Sequence, residues 1–141
     1  MQTNRSIPTS QVIPELGYPD VATAADWLCK AFGFRERLRI GNHRVQLVFG
    51  TGALVVIEAP PREPGMRAPA HGVLVRVDDV DAHCARARAA GATIAGEPQS
   101  YPYGERQYGV IDPAGHRWTF SQSIADVDPA DWGGTLADRA V

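Results

Sequence analysis

A helix-sized segment occurs twice in this chain with the same spacing between its start and stop signals. Asp20 and Asp78 each carry a side chain that can cap the start of a helix, and Gly33 and Gly91 can each end one. The two members of each pair are 13 positions apart (33 − 20 and 91 − 78). Two copies are too few for a propeller or a solenoid. The two halves must therefore complete one another or pair with a second chain.

Runs of residues that favour strands surround both segments. Strands are expected over residues 12–18, 34–40, 44–49 and 53–59 in the first half, and over 71–77, 92–95, 106–111 and 116–122 in the second. The second helix begins at Asp78 or Asp79, and its apolar stripe consists of Val80, Cys84 and Ala87. Each half therefore follows the order β-α-β-β-β.

The last two predicted strands form a hairpin around the turn Asp112-Pro-Ala-Gly115. Aspartate caps such a turn, proline presets φ at its second position, and glycine accepts a positive φ. Because side chains alternate along a strand, the strand after the turn has two different faces. One carries Arg117, Thr119 and Ser121, and the other carries Trp118 and Phe120. We expect the apolar face to pack under a helix and the mixed face to line a cavity.

Composition and charge exclude several classes of protein. With 141 residues, of which 44% are hydrophobic, the chain is long enough for one domain with a substantial core. A net charge of −2 gives no field that would attract a nucleic acid. No apolar run approaches the ~20 residues of a membrane span, and the polar start lacks the apolar core of a signal peptide. Cys29 and Cys84 have no metal-site spacing, so we expect buried, reduced thiols and a cytoplasmic protein.

The expected organisation is one domain flanked by two short segments. Residues 1–11 are predicted to be a flexible arm, residues 12–122 the domain, and residues 123–141 a tail. Within the domain, the first module covers residues 12–59 and the second covers residues 71–122. A proline-rich linker over residues 60–70 joins the modules.

Three stretches resemble the vicinal-oxygen-chelate superfamily, specifically its glyoxalase and bleomycin-resistance-like branch. They are A-F-G-F after the first helix, H-x-V-L-V-R-V at the start of the second module, and D-P-x-G-H-R-W near its end. The resemblance implies an α+β fold in which two βαβββ modules form a curved mixed sheet around a concave cavity, with the helices on the outer face. It also implies a homodimer.

Metal-dependent members of this superfamily hold their ion with residues at matched positions of the two modules, and the resemblance allows these to be located here. His71 fills one of them, but the other three are Ile13, Val56 and Thr119. A neutral hydroxyl is a poor replacement for a carboxylate on a divalent transition metal. We therefore predict no metal and no cofactor.

A shifted metal site is the alternative. Glu15 and Glu58 each lie two residues beyond a lost ligand position, and with His71 they would supply two carboxylates and an imidazole. A shift of two residues moves a side chain about 6.6 Å along its strand, which is far more than the ~0.2 Å that metal–ligand distances tolerate.

A cluster of three phenols and a guanidinium, Tyr101, Tyr103, Arg106 and Tyr108, offers a rim that could stack on a flat ligand and hold an anionic or carbonyl group. Cross-strand packing is the alternative for these aromatics. His71 could donate or accept a proton in the pocket, or serve only a structural role. The predicted ligand-binding residues are His71, Glu58, Tyr103, Arg106, Tyr108 and Thr119.

The function expected from these features is metal-free binding of a small hydrophobic or drug-like molecule in the cavity. The alternative is a metal-dependent lyase, isomerase or dioxygenase, as in relatives that keep every ligand, in which the ion polarises an oxygen of the substrate. A third possibility is a module that only makes protein contacts, and a cavity filled by its own side chains would favour it. The sequence leaves open whether any reaction is catalysed.

Overall fold

A computed structural model of the chain describes residues 2–67 and 70–137. The strands are β1 (Glu15–Tyr18), β2 (Arg35–Ile40), β3 (Arg44–Phe49), β4 (Gly52–Glu58), β5 (Val73–Arg76), β6 (Thr93–Ser100), β7 (Glu105–Ile111) and β8 (Arg117–Ser123). The helices are α1 (Val21–Phe32), α2 (Val80–Ala89) and a short 3₁₀ turn, η1 (Pro129–Trp132). None of the described helices is long and apolar enough to cross a membrane.

The elements form two compact units, one holding β1 to β4 with α1, and the other holding β5 to β8 with all but the end of α2. The expected α+β fold of two βαβββ modules is confirmed, with a separate four-stranded mixed sheet in each module. Parts of three predicted segments fall outside the described residues: position 1 of the arm, positions 68 and 69 of the linker, and positions 138–141 of the tail.

The first sheet has the strand order β1-β4-β3-β2, and α1 packs on one of its faces. Asp20 caps the helix by accepting a hydrogen bond from the Thr23 N–H, and Gly33 ends it at φ 87°. Both signals were predicted. The helix-covered face carries the apolar core of this unit, including Leu16, Val45, Leu47, Leu54 and Val56.

The opposite face of the first sheet contacts the N-terminal segment, and we call it the arm face. Its central residues are Gln46 and Val55, which are paired across β3 and β4. The Gln46 amide donates to the Ser6 carbonyl, and the Arg37 guanidinium donates to the Arg5 carbonyl. Residues 5–10 therefore lie along this face, where the sequence predicts a flexible arm.

The second sheet repeats the order as β5-β8-β7-β6. Its helix is capped by Asp79, whose carboxylate accepts from the Ala82 N–H. Of the two predicted starts, Asp78 and Asp79, the structure selects the second. The cap-to-stop distance is then 12 positions (91 − 79), against 13 for Asp20 and Gly33. The two helix caps are therefore 59 positions apart (79 − 20), rather than the 58 (78 − 20) expected from pairing Asp20 with Asp78.

Side chains of the second sheet divide between two faces, as alternation predicts. The face toward α2 carries Tyr108, Val110, Trp118 and Phe120, all of which are buried. The other, which we call the open face, carries Gln107, Gly109, Thr119 and Ser121 from the two central strands, and Leu74 from β5. The expectation that Trp118 and Phe120 face a helix while Thr119 and Ser121 do not is confirmed.

The hairpin turn has the geometry that its residues predict. The Asp112 carboxylate accepts hydrogen bonds from the N–H groups of Ala114 and His116 and from the Trp118 indole. Gly115 has a φ of 90°, a conformation that favours glycine.

Strand β6 is longer than predicted. The strand extends from Thr93 to Ser100, well beyond the predicted 92–95, and it includes Pro98. Because β6 lies at the edge of its sheet, a residue that lacks an N–H is tolerated there.

Candidate functional site: the open face of the second sheet

A groove of about 450 Å³ runs over the open face of the second sheet. Its volume falls within the range of small-molecule sites. The residues that line it are Gly72, Val73, Leu74, Ala95, Gln107, Gly109, Val110, Ile111, Arg117, Trp118 and Thr119. All of them belong to the second unit.

The floor of the groove is apolar and bare. Leu74 is 64% exposed although it lies within β5 and pairs with Thr119 of the adjacent strand. Gly109 faces Gly96 across β6 and β7, and neither residue has a side chain to fill the space above the sheet. An exposed leucine on β5, with glycines on β7 and β6 beyond the Thr119 of β8, leaves apolar surface that a ligand can cover.

A chain of hydrogen bonds begins at one end of the groove and fixes the orientation of a glutamine. The Tyr103 hydroxyl donates to Gln107 Oε1 at 3.1 Å, and Gln107 Nε2 donates to Ser121 Oγ at 3.1 Å. The Ser121 hydroxyl then donates to Glu105 Oε1 at 2.7 Å. Because the Glu105 carboxylate can only accept, Ser121 donates to it and accepts a hydrogen bond from Gln107. The Gln107 amide nitrogen is therefore held toward β8.

Glu105 ends the chain as an ionised carboxylate. A hydrogen bond from Ser123 is the largest influence on the Glu105 pKa and lowers it, and Ser121 and the charge of Arg76 act in the same direction. The Arg76 guanidinium also donates to Ser123 Oγ at 3.0 Å. The negative charge at this end of the open face is therefore matched by a nearby positive one.

Two of the predicted site residues belong to this face. Thr119 lines the middle of the groove, and Tyr103 contributes the first hydrogen bond of the polar chain. The Tyr103 ring stacks on Tyr101, and it also contacts Trp132, with ring centroids 5.3 Å apart. His71 is exposed just before β5, and its ring centroid is 6.1 Å from that of His116.

Tyr108 and Arg106 lie on the helix-covered face, away from Thr119. Tyr108 is only 2% exposed, stacks on Phe120, and places its hydroxyl 2.6 Å from His83 Nδ1. Burial raises the Tyr108 pKa well above that of a free phenol. Because successive residues of a strand point to opposite faces, Arg106 and Tyr108 share the helix-covered face, whereas Tyr103 contacts Gln107 on the open face. The four-residue rim predicted from the sequence therefore does not form. This placement supports packing rather than ligand contact for Tyr108.

Arg106 is engaged with α2. Its guanidinium donates to both carboxylate oxygens of Asp81, at 3.0 and 2.9 Å, and to the Ser100 hydroxyl. The paired hydrogen bond lowers the Asp81 pKa. This bidentate contact joins the helix to the sheet. It engages the Arg106 guanidinium, which was predicted to bind a ligand.

Glu58 belongs to the first unit, where it lies beside Pro19 and Pro60. Strand pairing places it opposite Tyr18, whereas Glu15 is opposite Val55 and forms an ion pair with Arg44 at 2.8 Å. The two glutamates therefore project from opposite faces of the first sheet, and the proposed shift to Glu15, Glu58 and His71 fails at its first pair.

Strand register also corrects the position that matches Thr119. Thr119 pairs with Leu74 in the second sheet, and the equivalent pair in the first sheet is Val55 with Glu15. The counterpart of Thr119 is therefore Val55, not Val56, which faces α1 and is buried in the core. The described residues contain no group of three histidine, cysteine, aspartate or glutamate side chains that could hold a metal. With valine and threonine at these two positions, the side chains present do not fit the family's metal.

Sequence reasoning missed most of the residues that shape the groove. Leu74, Gln107 and Glu105 were not selected, although alternation from Thr119 and Ser121 through the hairpin register would have placed Gln107 and Glu105 on the same face. No feature of the sequence marked Leu74 as exposed, because a leucine within a strand is ordinarily predicted to be buried in the core.

Comparison with known proteins agrees with this architecture. The sequence model of the Glyoxalase/Bleomycin resistance protein/Dioxygenase superfamily matches residues 12–120. The crystal structure of TioX from Micromonospora sp. ML1 is similar at 41% identity, with a TM-score of 0.67 over 81% of this chain and 98% of that one. FosX from Listeria monocytogenes, described as a genomically encoded fosfomycin resistance protein, shares the fold at 13% identity, with a TM-score of 0.65 over 82% of this chain and 94% of that one.

A curated relative is similar over most of both chains. The uncharacterized protein Mb0911c of Mycobacterium bovis is 31% identical over 129 residues, which cover 82% of this chain and 84% of the relative. The match of the family model over most of the chain, together with this relative and the two βαβββ modules, shows that the protein belongs to the Glyoxalase/Bleomycin resistance protein/Dioxygenase superfamily.

Proposed function

We propose that this protein is a metal-free small-molecule-binding member of its superfamily and that the groove on the open face of the second sheet holds an apolar ligand. The observation that carries the proposal is Leu74, which is 64% exposed at the floor of a 450 Å³ groove. Covering a leucine side chain removes apolar surface from water and stabilises a complex by about 1–2 kcal/mol.

The polar groups of the open face favour ligand binding over metal-dependent catalysis. Gln107, Ser121 and Glu105 are hydrogen-bonded to one another, so each keeps a partner of its own when a ligand lies beside them. Thr119 stands where metal-dependent relatives carry a carboxylate, and a neutral hydroxyl gives little support to a divalent ion.

Titration with N-phenyl-1-naphthylamine, a neutral probe whose fluorescence rises in apolar surroundings, tests the site. We expect saturable binding to the wild-type protein and at least a tenfold (about 1.4 kcal/mol) weaker affinity for Leu74→Glu, because a carboxylate would then occupy the apolar floor. Leu136→Glu is the matched control, since Leu136 is 67% exposed in the C-terminal segment and does not line the groove.

The outcome is decided by the difference between these two variants. Equal binding by wild type and Leu74→Glu, with both proteins folded by circular dichroism, would remove the groove from consideration. Equal losses in both leucine variants would show that the probe reports only general surface hydrophobicity.

The metal-free part of the proposal has its own test. Elemental analysis of protein purified without chelator should find no stoichiometric divalent ion, and Zn²⁺, Ni²⁺, Mn²⁺ and Fe²⁺ should leave the melting temperature unchanged. An ion in near one-to-one ratio would favour the lyase, isomerase or dioxygenase alternative instead. Sedimentation would test the homodimer that family resemblance suggests.

A further inference from the structure

The groove on the open face carries charge of one sign. Arg117 is the only charged side chain among the described residues that line it, and no carboxylate is among them. Its guanidinium is exposed, and within the part of the chain that the structure describes it has no ion-pair partner. By contrast, Arg44, Arg88 and Arg106 each hold a carboxylate at 2.6–2.9 Å.

The negative charge on this face lies at the other end. Glu105 and Ile111 are six positions apart on β7, or about 20 Å at the rise of a strand, and Arg117 pairs with Ile111. At that separation salt screens the Glu105 carboxylate from Arg117 almost fully. Arg76 further offsets the Glu105 charge. The Arg117 end of the groove is therefore positive.

Hydrogen-bond donors lie between these two ends. The Gln107 amide nitrogen has two hydrogens and uses one toward Ser121, while its oxygen accepts from Tyr103. Its orientation is fixed by those two contacts, so the second N–H is available beside the groove. The Thr119 hydroxyl lines the same groove on the neighbouring strand. A ligand with oxygen acceptors would meet donors along this line.

We propose that the groove selects an apolar organic anion, whose carboxylate or sulfonate pairs with Arg117 while its apolar part covers Leu74. The inference rests on the proposed function and names its ligand class. Arginine suits this role because its planar donors match a carboxylate or sulfonate edge. Arg117 is then the residue that determines specificity for charge, and Leu74 supplies affinity that does not depend on charge.

Two probes that differ by one group separate these contributions. 8-Anilino-1-naphthalenesulfonate has the same ring system as N-phenyl-1-naphthylamine and adds a sulfonate. We expect Arg117→Gln to weaken binding of the sulfonate by about tenfold, a typical loss for a charge-assisted contact, and to change binding of the neutral probe by less than twofold. Arg117→Lys should restore only part of the affinity for the sulfonate, because it preserves the charge but lacks the planar donors.

An arginine of the first sheet provides the control. Arg35 is exposed on β2 of the first sheet and lines no part of this groove. Arg35→Gln changes net charge as Arg117→Gln does, so it should leave both titrations unchanged. Raising the salt concentration should reduce binding of the sulfonate more than binding of the neutral probe.

The results distinguish this inference from the proposed function. If the neutral probe binds through Leu74 but Arg117→Gln leaves the sulfonate titration unchanged, the anion preference is wrong and the apolar site stands. If neither probe binds the wild-type protein, the groove is not a site and both ideas fail. Equal losses in the Arg35 and Arg117 variants would reduce the preference to net charge alone.

Discussion

The two sheets have the same strand order and the same helix-covered side, yet their other faces differ. On the first sheet, the arm face contacts residues 5–10, and Gln46 is only 8% exposed there. On the second sheet, the open face has bare apolar surface at Leu74. One module has used its second face for the chain's own N-terminal segment, and the other has left it available.

Two glutamines show the same contrast at the level of single residues. Gln46 on β3 and Gln107 on β7 both lie on the side of their sheet opposite the helix. Gln46 bonds to the backbone of the arm and to Arg37, whereas Gln107 bonds to the side chains of Tyr103, just before β7, and of Ser121 on β8. The same residue type is a structural anchor in one module and part of a groove wall in the other.

The largest expected difference in stability is between a substitution on the helix-covered face and one on the open face of the second sheet. Tyr108→Ala should lower the free energy of unfolding by about 3–5 kcal/mol, because it removes a buried ring stacked on Phe120. Leu74→Ala on the open face should change it by less than about 0.5 kcal/mol. Urea unfolding of both variants measures the contrast, and equal destabilisation would mean that the open face is packed in solution.

Removal of the arm should have the next largest effect. Deleting residues 2–10 takes away hydrogen bonds to Arg37, Gln46 and the Thr51 carbonyl, together with the buried ring of Pro8. At about 0.5–1.5 kcal/mol for each bond, we expect a loss of about 2–4 kcal/mol in urea unfolding and a second binding event for the neutral naphthylamine probe. An unchanged unfolding midpoint would show that the arm does not stabilise this sheet.

The glutamine pair sharpens the comparison. Gln46→Ala leaves the Ser6 carbonyl and the Arg37 guanidinium without a near-buried partner, so we expect a loss of about 1–3 kcal/mol. Gln107→Ala should cost less than about 1 kcal/mol, since water can reach its partners on the open face. Thermal unfolding of the two variants side by side provides the measurement, and a reversed order would contradict the distinction drawn between the faces.

The smallest expected effect concerns pH. The Glu105 pKa is lower in the folded protein than its ordinary value of 4.5, so ionised Glu105 stabilises the fold above that pH. The contribution is lost as pH falls below 4.5 through the lower folded value. The stability difference between wild type and Glu105→Gln should therefore be larger at pH 7 than at pH 3. A difference that is the same at both values would show that the charge of Glu105 contributes nothing.

Local signals predicted the fold well, because caps and turns act through neighbouring residues. Asp20, Gly33 and the Asp112 turn all behave as their chemistry requires. The site was harder to predict, because it depends on which residues of different strands share a face. Counting four residues from the turn glycines Gly115 and Gly52 matches Thr119 with Val56, whereas strand register matches it with Val55.

The position of the arm depends on contacts between segments distant in the sequence, such as Ser6 with Gln46. The exposure of Leu74 depends on which segments cover its sheet. No local pattern encodes them. Tyr103, Arg106 and Tyr108 were predicted from residue type, and alternation alone would have separated Tyr108 from Thr119, since the hairpin register places Tyr108 opposite Phe120.

The carboxylate of Asp112 has a consequence for the order in which the chain folds. It joins two backbone N–H groups and the Trp118 indole within seven residues of sequence, from Asp112 to Trp118. Such a short loop closes at little entropic cost, whereas pairing β5 with β8 must bring together residues as far apart as Val73 and Trp118. We expect the β7–β8 hairpin to be formed in the folding transition state, so Asp112→Ala should slow refolding more than it speeds unfolding. Stopped-flow kinetics in urea would show this, and a variant that changed only the unfolding rate would place the hairpin late.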